Sequence, residues 1–422
     1  MSRPYTISGI DIGNSQVKVV IARMGPEKAK ALGAGDNLRP EILGTGSAVS
    51  AGLRRGMVVD MEETVDNIGA AVQQAEAMTG TQIKRAFVGV NGLHIKTQVS
   101  RGVIAVSRAD NEISQNDIDR VIQAASVVSM PANREIIHVL PRNFIVDGTE
   151  YVKNPLGMKG VRLEADVLLI DGLSPYLRNI AKCVNENDIE VAGLVYAPLA
   201  ASLSSLDKSQ KEHGVINLDF GGGTSTLAVF EEADLIHSAV IPFGSKHITN
   251  DLAVALRTSL DVAERVKLEH CSTSNMEDLR RRDNIDLSHL IGEENFIVPK
   301  KQLVKVVDAR VSELLDIVES ELKKISKSGI LPAGVILSGG GSNLPGFAFM
   351  VKDRLRLPVK VAEPLGFDGV NNIVGDPSFA VAVGLVLWGT AETRNGRKTQ
   401  KMDFDGNDFI SKTKDWLKNF LP

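Results

Sequence analysis

The sequence predicts an α/β protein with two similar lobes, a small α/β unit inserted in the first lobe, and an amphipathic helix at the C-terminus. Three observations support this fold class. A hairpin motif with glycines occurs twice, far apart in the chain; residues 84–163 have a strand–helix–strand pattern of their own; and residues 408–422 carry large apolar side chains at helical spacing. A chain of 422 residues is long enough for two or more domains.

Composition narrows the function classes. With 43% hydrophobic and 24% charged residues, the chain can bury a sizeable core. A net charge of −4 gives no support for a nucleic-acid partner. Cys183 and Cys271 are the only cysteines, which fits a reducing cytosol, and the seven histidines lack a metal-ligand spacing. We expect no signal peptide, and the apolar run 379–388 is too short to span a bilayer.

The hairpin motif nearer the middle of the chain is GVINLDFGGGTSTLAVF, residues 214–230. An apolar strand ends at Asp219 and is followed by a small, flexible loop of Gly221, Gly222, Gly223 and Thr224. Glycines let the backbone come close to a ligand, and consecutive N–H groups in such a loop form an anion site. Asp219 would repel phosphate unless a divalent cation lay between them. This stretch alone supports a phosphate-and-metal site and an ordinary hairpin turn equally well.

An earlier copy of the motif is YTISGIDIGNSQVKVVIAR, residues 5–23. Asp11 and Gly13 precede Asp219 and Gly221 by the same number of residues. In both copies an apolar strand leads to Asp-x-Gly, then to small polar residues and a second apolar strand. We expect two similar halves whose hairpins face one another and grip a polyphosphate from both sides.

A third glycine cluster, AGVILSGGGSNLPGF, covers residues 333–347. A short apolar strand again leads into glycines, here Gly339, Gly340 and Gly341, followed by Ser342. The sequence has no GxxxxGK[ST] motif, so it is not a P-loop protein. The glycines would allow the backbone to lie against a base or an α-phosphate, although glycine-rich strand ends are common.

Between the second and third glycine clusters, Glu264 and Lys267 lie three residues apart in a segment with helical spacing. They would share one face of a helix. A solvated ion pair is the alternative to a ligand-binding pair at these two positions.

In this order, the elements resemble the actin-like ATPase superfamily, which includes actin, the Hsp70 chaperones and sugar kinases. The resemblance covers about residues 5–390. It implies two lobes around an ATP-binding cleft, in which Asp11 and Asp219 hold Mg²⁺ through water. The nucleotide ligands that it implies are Asp11, Gly13, Asn14 and Ser15 in the first phosphate motif; Asp219, Gly221, Gly222, Gly223 and Thr224 in the second; Glu264 and Lys267 at the ribose and base; and Gly339, Gly340, Gly341 and Ser342 in the adenosine motif.

One position departs from the catalytic members of this superfamily. Hsp70 and the bacterial actin MreB carry Glu-Pro-x-Ala-Ala-Ala beside the γ-phosphate, whereas this chain has Ala197-Pro198-Leu199-Ala200-Ala201-Ser202. An alanine can neither orient nor deprotonate water. We therefore assign no catalytic residue and expect ATP binding with slow hydrolysis.

The C-terminal segment divides into a polar part and an amphipathic part. Residues 391–407 are predicted to form a flexible linker. In residues 408–422, an apolar stripe alternates with lysines, as in an interfacial membrane anchor; it consists of Phe409, Ile410, Trp416, Leu417, Phe420 and Leu421. The alternative is a helix docked on the protein's own core, but the detached position and the tryptophan flanked by lysines favour a lipid surface.

Lobes, insert and tail together are similar to the FtsA family of bacterial cell-division proteins. That resemblance implies a protein that polymerises like actin on the cytoplasmic face of the cell (inner) membrane at the division site. It also implies two kinds of protein partner: the tubulin-like FtsZ, whose C-terminal tail docks on the small subdomain of lobe two, and later division proteins, which bind the insert. In the small subdomain of lobe two, Arg280, Arg281 and Arg282 would meet an acidic FtsZ tail, unless they are a solvated helix face.

The domain boundaries that follow from these motifs are 1–83, 164–193 and 385–390 for the core of lobe one, 84–163 for the insert, 194–230 and 300–384 for the core of lobe two, and 231–299 for its small subdomain. Two other functions remain open within the same fold. A PilM-type pilus-assembly adaptor would not need the lipid-binding tail. A small-molecule kinase would need a catalytic carboxylate and a sugar pocket, and the sequence shows no convincing candidate for either.

Overall fold

The structure is a computed structural model that describes residues 5–25, 39–127, 130–273, 283–291 and 296–394. The strands in these ranges are β1 (Tyr5–Ile12), β2 (Gln16–Met24), β3 (Glu41–Val49), β4 (Leu53–Arg54), β5 (Met57–Val58), β6 (Arg85–Val90), β7 (Lys96–Ala105), β8 (Arg134–Val146), β9 (Glu150–Val152), β10 (Arg162–Leu173), β11 (Glu190–Tyr196), β12 (Val215–Phe220), β13 (Ser225–Glu231), β14 (Asp234–Ile241), β15 (Asn284–Asp286), β16 (Ile297–Pro299), β17 (Val335–Ser338), β18 (Val359–Val361) and β19 (Asp368–Gly369).

The helices in the same ranges are α1 (Met61–Thr79), α2 (Gln115–Ser126), α3 (Ser174–Asn185), α4 (Ala197–Ser205), α5 (Lys208–His213), α6 (Ser245–Leu256), α7 (Leu260–His270), α8 (Ser288–Ile291), α9 (Lys300–Lys324), α10 (Phe347–Leu355), α11 (Asn371–Val374) and α12 (Ala380–Arg394). Two short 3₁₀ turns, Gly340–Asn343 and Pro377–Phe379, lie between the last strands and helices.

The two lobes are built on sheets in which five strands follow the same order. In lobe one this order is β3-β2-β1-β6-β11, with β19 added beside β3, and in lobe two it is β14-β13-β12-β17-β18. In each sheet a hairpin is central: β1 pairs antiparallel with β2 and parallel with β6, while β12 pairs antiparallel with β13 and parallel with β17. The repeat predicted from the two hairpin motifs is therefore present in the fold.

The hairpin strands are buried along most of their length because helices cover both faces of each sheet. In β2, every residue from Val17 to Ala22 is buried, including the one lysine among them. In lobe two, α9 packs on the sheet and buries one face of the helix along its whole length. The buried residues follow helical spacing: Leu303, Val304, Val307, Val311, Leu314, Leu315, Val318 and Leu322.

The insert has its own sheet, in the order β7-β10-β8-β9, and a separate core. Helix α2 packs on one face of this sheet. It begins at the predicted N-cap Ser114, which forms a reciprocal capping box with Asp117. The buried face of the helix is the one expected from the sequence: Ile118, Val121, Ile122 and Ala125.

The predicted boundaries of the insert were wrong at both ends. Residues 84–163 were expected to form it, but β6 lies between β1 and β11 in the sheet of lobe one. Conversely, β10 was assigned to lobe one, and it pairs with β7 and β8 inside the insert. An apolar strand has the same alternation whichever sheet it joins, so sequence pattern alone could not decide the partner.

The predicted boundaries of lobe two also need correction. The small subdomain was expected to start at residue 231, but β14 extends the sheet of the lobe-two core, and the small subdomain begins with α6. The return to lobe one was expected at residue 385, yet β19 already pairs with β3, and α12 packs against β1, β2 and β6 of lobe one as well as against α4. Because α12 continues to Arg394, the first residues assigned to the linker are helical.

The predicted membrane helix, residues 408–422, lies outside the described residues, as do Arg280, Arg281 and Arg282. Among the helices that are described, none is long and apolar enough to cross a membrane.

Candidate functional site

A cleft with a volume of about 780 Å³ lies between the two sheets and is lined by residues of both lobes. The predicted nucleotide ligands converge on it from four separate parts of the chain. All of them line the cleft except Gly223 and Ser342. Gly223 lies against Asn14 instead, and the buried Ser342 hydroxyl donates a hydrogen bond to the Gly339 carbonyl.

Asp11 is held at the inner end of β1, directly opposite Lys18 of β2 in the hairpin register. Both side chains lie in the cleft wall, and Lys18 is only 8% exposed. Burial raises the pKa of Asp11 to about 7; the charge of Lys18 opposes this rise, and the charge of Asp219 adds to it. Burial lowers the pKa of Lys18, whereas the negative charges of Asp11, Asp376 and Asp219 act to raise it.

Asp219 holds the equivalent position at the end of β12 and accepts a hydrogen bond of 3.1 Å from the Ser338 hydroxyl. The same hydroxyl lies 2.9 Å from the Asn217 side chain, so Ser338 fixes the carboxylate from the neighbouring strand. Burial raises the pKa of Asp219, in opposition to that hydrogen bond and to the charge of Lys18. Two desolvated carboxylates at facing strand ends are a donor set that suits a hard divalent cation.

The two hairpin loops touch each other, and only glycine permits this approach. A Cβ on Gly222 would lie 1.9 Å from the Ser15 hydroxyl, and a Cβ on Gly223 would lie 2.7 Å from the Asn14 side chain. The two hairpins therefore face one another across the lobes, as expected from the repeat.

The third glycine cluster turns sharply after β17. Gly339 has a φ of 81°, and a Cβ there would lie 2.7 Å from the Phe220 carbonyl. An L-residue would be strained in this conformation and would clash with the end of β12. The turn brings Gly339, Gly340 and Gly341 to the cleft wall beside the second hairpin.

Glu264 and Lys267 lie on α7 and form an ion pair of 2.7 Å at the cleft. Lys267 is 7% exposed and also donates to the Thr249 hydroxyl at 3.0 Å, so it is fixed in place. The solvated surface pair considered as an alternative does not describe Lys267, because its ammonium is buried.

The sequence analysis missed several polar residues that line the cleft, and three of them make contacts that hold the site together. Lys18 was concealed within an apolar strand, although a tight hairpin places it opposite Asp11. Asn91, after β6, donates a hydrogen bond of 2.8 Å to Thr226 of lobe two. Lys246, in the first turn of α6, reaches across the cleft and donates to the Asn14 carbonyl at 2.7 Å. The last two connect the lobes, which no local pattern could reveal.

Ala197 lies at the start of α4 and lines the cleft together with Pro198. The position where the superfamily's catalytic glutamate would stand is therefore at the site, and its side chain is a methyl group. The carboxylates that do line the cleft are Asp11, Asp219, Asp261 and Glu264.

Two family models match the chain. Residues 92–171 match "SHS2 domain inserted in FTSA", and residues 216–384 match "Cell division protein FtsA". The first match begins after β6 and includes most of β10, in agreement with the boundaries of the insert in the structure.

Curated relatives match over nearly the whole length. The chain is 34% identical to the cell division protein FtsA of Pseudomonas aeruginosa, over 96% of this chain and 93% of that protein. It is 37% identical to the FtsA of Bacillus subtilis, over 92% of this chain and 84% of that protein.

Solved structures with lower identity share the fold. A PilM–PilN type IV pilus biogenesis complex matches with a TM-score of 0.65 and 16% identity, over 91% of this chain and 98% of that chain. MreB5 of Spiroplasma citri bound to AMPPNP matches with a TM-score of 0.54 and 13% identity, over 94% of this chain and 98% of that chain. The actin-like fold predicted from the sequence is confirmed; identities this low carry no information on function.

Proposed function

The chain belongs to the FtsA family of cell-division proteins, and on this basis we propose that it binds ATP and Mg²⁺ in the inter-lobe cleft and anchors FtsZ filaments to the membrane. In this proposal it polymerises on the cytoplasmic face of the cell (inner) membrane at the division site. Its C-terminal helix is the lipid anchor, and its insert recruits later division proteins.

The single observation that carries the ATP proposal is the convergence of both phosphate hairpins on one cleft, with a buried carboxylate at the end of each. Asp11 and Asp219 would hold Mg²⁺ through water, and the bound cation would neutralise phosphate charge. Lys18 would supply a further positive charge, while Glu264 and Lys267 would contact the ribose and base. MreB5, which shares the fold, was solved with AMPPNP and with ADP, so this fold can hold a nucleotide.

Slow turnover is part of the proposal because the position beside the cleft that carries glutamate in catalytic members is Ala197. ATP would then act as a ligand that favours one conformation and the polymer. Replacing Ala197 with glutamate is expected to raise the rate of phosphate release at least tenfold, since a placed general base contributes about 10²- to 10⁴-fold. Release of inorganic phosphate under saturating ATP measures this rate. Ala197→Met is the control for side-chain size, because it can neither orient nor deprotonate water, and it should leave the rate near the wild-type value.

Membrane attachment and polymerisation support one another in energetic terms. Burying a large apolar side chain contributes about 1.5–3 kcal/mol at full burial, and burial at an interface is partial. One helix of this size therefore binds weakly and reversibly once its folding entropy is subtracted. Linking many copies in a filament makes later contacts intramolecular and raises avidity by about 10²- to 10⁴-fold.

The decisive experiment for the adaptor function is a liposome flotation assay with purified FtsZ, this chain, Mg²⁺ and ATP. We expect FtsZ to float with the liposomes only when the chain is present, and more of it with ATP. FtsZ without its C-terminal tail is the matched control and should stay in the soluble fraction. Flotation that does not depend on the chain, or on the FtsZ tail, would contradict the proposal.

A further inference from the structure

The insert is attached to lobe one through the end of β11. The backbone N–H of Tyr196 donates a hydrogen bond of 2.9 Å to Nε2 of His138, on β8 of the insert. The His138 ring also packs on Trp388 of α12, with ring centroids 5.0 Å apart. Arg178 of α3 adds an ion pair of 2.8 Å to Glu135 at the start of β8. These contacts make the insert a neighbour of the lobe-one sheet, as expected for a unit inserted in that lobe.

The insert also contacts lobe two, which the chain connectivity does not require. Strand β7 lies beside β14, the edge strand of the lobe-two sheet, and the Thr97 hydroxyl donates to the Ser238 carbonyl at 3.2 Å. After β9, the Lys153 ammonium pairs with Asp234 at 2.5 Å and with Glu232 at 3.5 Å. The Asp234 side chain is only 17% exposed, so this ion pair is partly shielded from solvent.

Tyr196 lies where lobe one, lobe two and the insert meet. Its side chain is 1% exposed, and its hydroxyl is 2.9 Å from the Ser238 hydroxyl on β14. Ser238 in turn donates to the Leu227 carbonyl of β13, the second strand of the phosphate hairpin in lobe two. Tyr196 is followed by Ala197, which lines the cleft. From Ala197 at the cleft, contacts thus run through Tyr196 to the insert directly at His138, and through Ser238 of β14 to the insert at Thr97.

A ligand that touches both lobes favours the relative position of the lobes to which it binds best. If lobe two moves against lobe one, the insert must either follow β14 or lose its contacts with it. Losing them would separate the Lys153–Asp234 ion pair, which is partly shielded from solvent while the contact lasts.

We propose that the Lys153–Asp234 ion pair pins the insert to lobe two, so that nucleotide in the cleft changes the orientation of the insert relative to lobe one. This inference rests on the proposed binding of ATP. Because coupling between two sites is reciprocal, a protein partner bound to the insert changes the affinity of the cleft for ATP by the same factor. The edge strand β14 is the element that transmits the movement in both directions.

The test is a distance measurement between spin labels on the insert and on lobe one. Gln123→Cys on α2 and Gln73→Cys on α1 provide exposed labelling sites, while the native Cys183 and Cys271 are buried. The distance distribution is recorded by pulsed electron resonance without nucleotide and with saturating Mg²⁺ and ATP. We expect ATP to shift the distance in the parent protein, Lys153→Ala to abolish the shift, and ATP affinity in Lys153→Ala to stay within a few fold of the parent.

The matched control is Arg108→Ala, which removes an exposed ion pair of 2.9 Å within the insert and should leave the shift intact. The conservative variant Lys153→Arg keeps the positive charge beside Asp234 and Glu232 and should retain the shift, which separates loss of charge from a general loss of packing. Saturation with ATP but no shift in the parent protein, or an equal shift in Lys153→Ala, would overturn the inference while leaving the proposed function intact. Failure of the parent protein to bind ATP would overturn both.

Discussion

Replacing Asp219 with asparagine is expected to weaken binding of Mg²⁺ and ATP by about 10- to 100-fold, the cost typical of losing a group that holds a metal through an outer shell. The variant keeps an oxygen that can accept the hydrogen bond from Ser338, so the end of β12 should remain in place. What it loses is the negative charge that faces Asp11 across the cleft. Isothermal titration with ATP at fixed Mg²⁺, and again with excess chelator, measures both the affinity and its dependence on the cation.

The same variant is expected to be more stable than the parent protein when no ligand is bound. Asp11 has a pKa of about 7 in the folded protein against 3.8 ordinarily, so between these values the folded state binds more protons than the unfolded state. Stability therefore falls as pH rises through this window. The charge of Asp219 contributes to the raised pKa of Asp11, so removing that charge should lessen the loss of folding stability at higher pH. Thermal unfolding at pH 5 and pH 7.5 should show the gain of the variant at the higher pH.

Asp117→Asn is the matched control, because Asp117 is a buried carboxylate far from the cleft in the capping box of α2. Burial alone would raise its pKa, but hydrogen bonds from Ser114 and Ser107 hold the pKa well below its usual range. This carboxylate stabilises the fold at neutral pH, so its loss should lower stability and leave ATP binding unchanged. Equal ATP affinity in Asp219→Asn and the parent protein would remove Asp219 from the binding site.

The parts of the fold that were predictable are those encoded by local sequence. A strand that ends in Asp-x-Gly and continues into small residues specifies a tight hairpin, and two such hairpins at matching places specified two related sheets. The glycines of the second hairpin loop were identified because they let the backbone come close to a ligand. In the structure they also permit contact between the two loops, since no other residue fits there.

What could not be predicted depends on contacts between distant segments. The partner of β10 is chosen by the packing of a whole sheet, and its alternating pattern would serve either sheet equally well. Lys246 and Asn91 bridge the lobes, so their partners lie far away in the sequence. Lys18 is the exception: pairing residues outward from the turn of the first hairpin would have placed it opposite Asp11.

Replacing Trp416 with glutamate is expected to lower the liposome-bound fraction of the full chain by at least tenfold at limiting lipid. The change removes one of the largest apolar groups of the predicted stripe and introduces a carboxylate that must stay hydrated. A tenfold loss of affinity corresponds to about 1.4 kcal/mol, which partial burial of the largest side chain together with the hydration of the new carboxylate can supply. Co-sedimentation with liposomes that contain anionic lipid, with and without ATP and Mg²⁺, measures the effect.

Ser411→Glu is the matched control for charge, because residue 411 falls on the opposite side of a helix from the apolar stripe. It should reduce binding only slightly, through weaker attraction to anionic lipid, whereas deletion of residues 408–422 should reduce binding at least as much as Trp416→Glu. Equal loss in Ser411→Glu and Trp416→Glu would mean that the tail acts through charge and not as an amphipathic helix.

Dependence of lipid binding on ATP separates an anchor that works alone from one that works through a polymer. If single helices bind weakly, the parent protein should bind lipid much better under conditions that favour filaments, and Asp219→Asn should lose that increase while its tail is intact. Trp416→Glu should show the converse: normal ATP affinity in solution and little lipid binding with or without ATP. If the parent protein binds lipid strongly and equally well with and without ATP, the anchor does not depend on the nucleotide cleft. If deletion of residues 408–422 leaves the bound fraction unchanged, the anchor lies elsewhere in the chain.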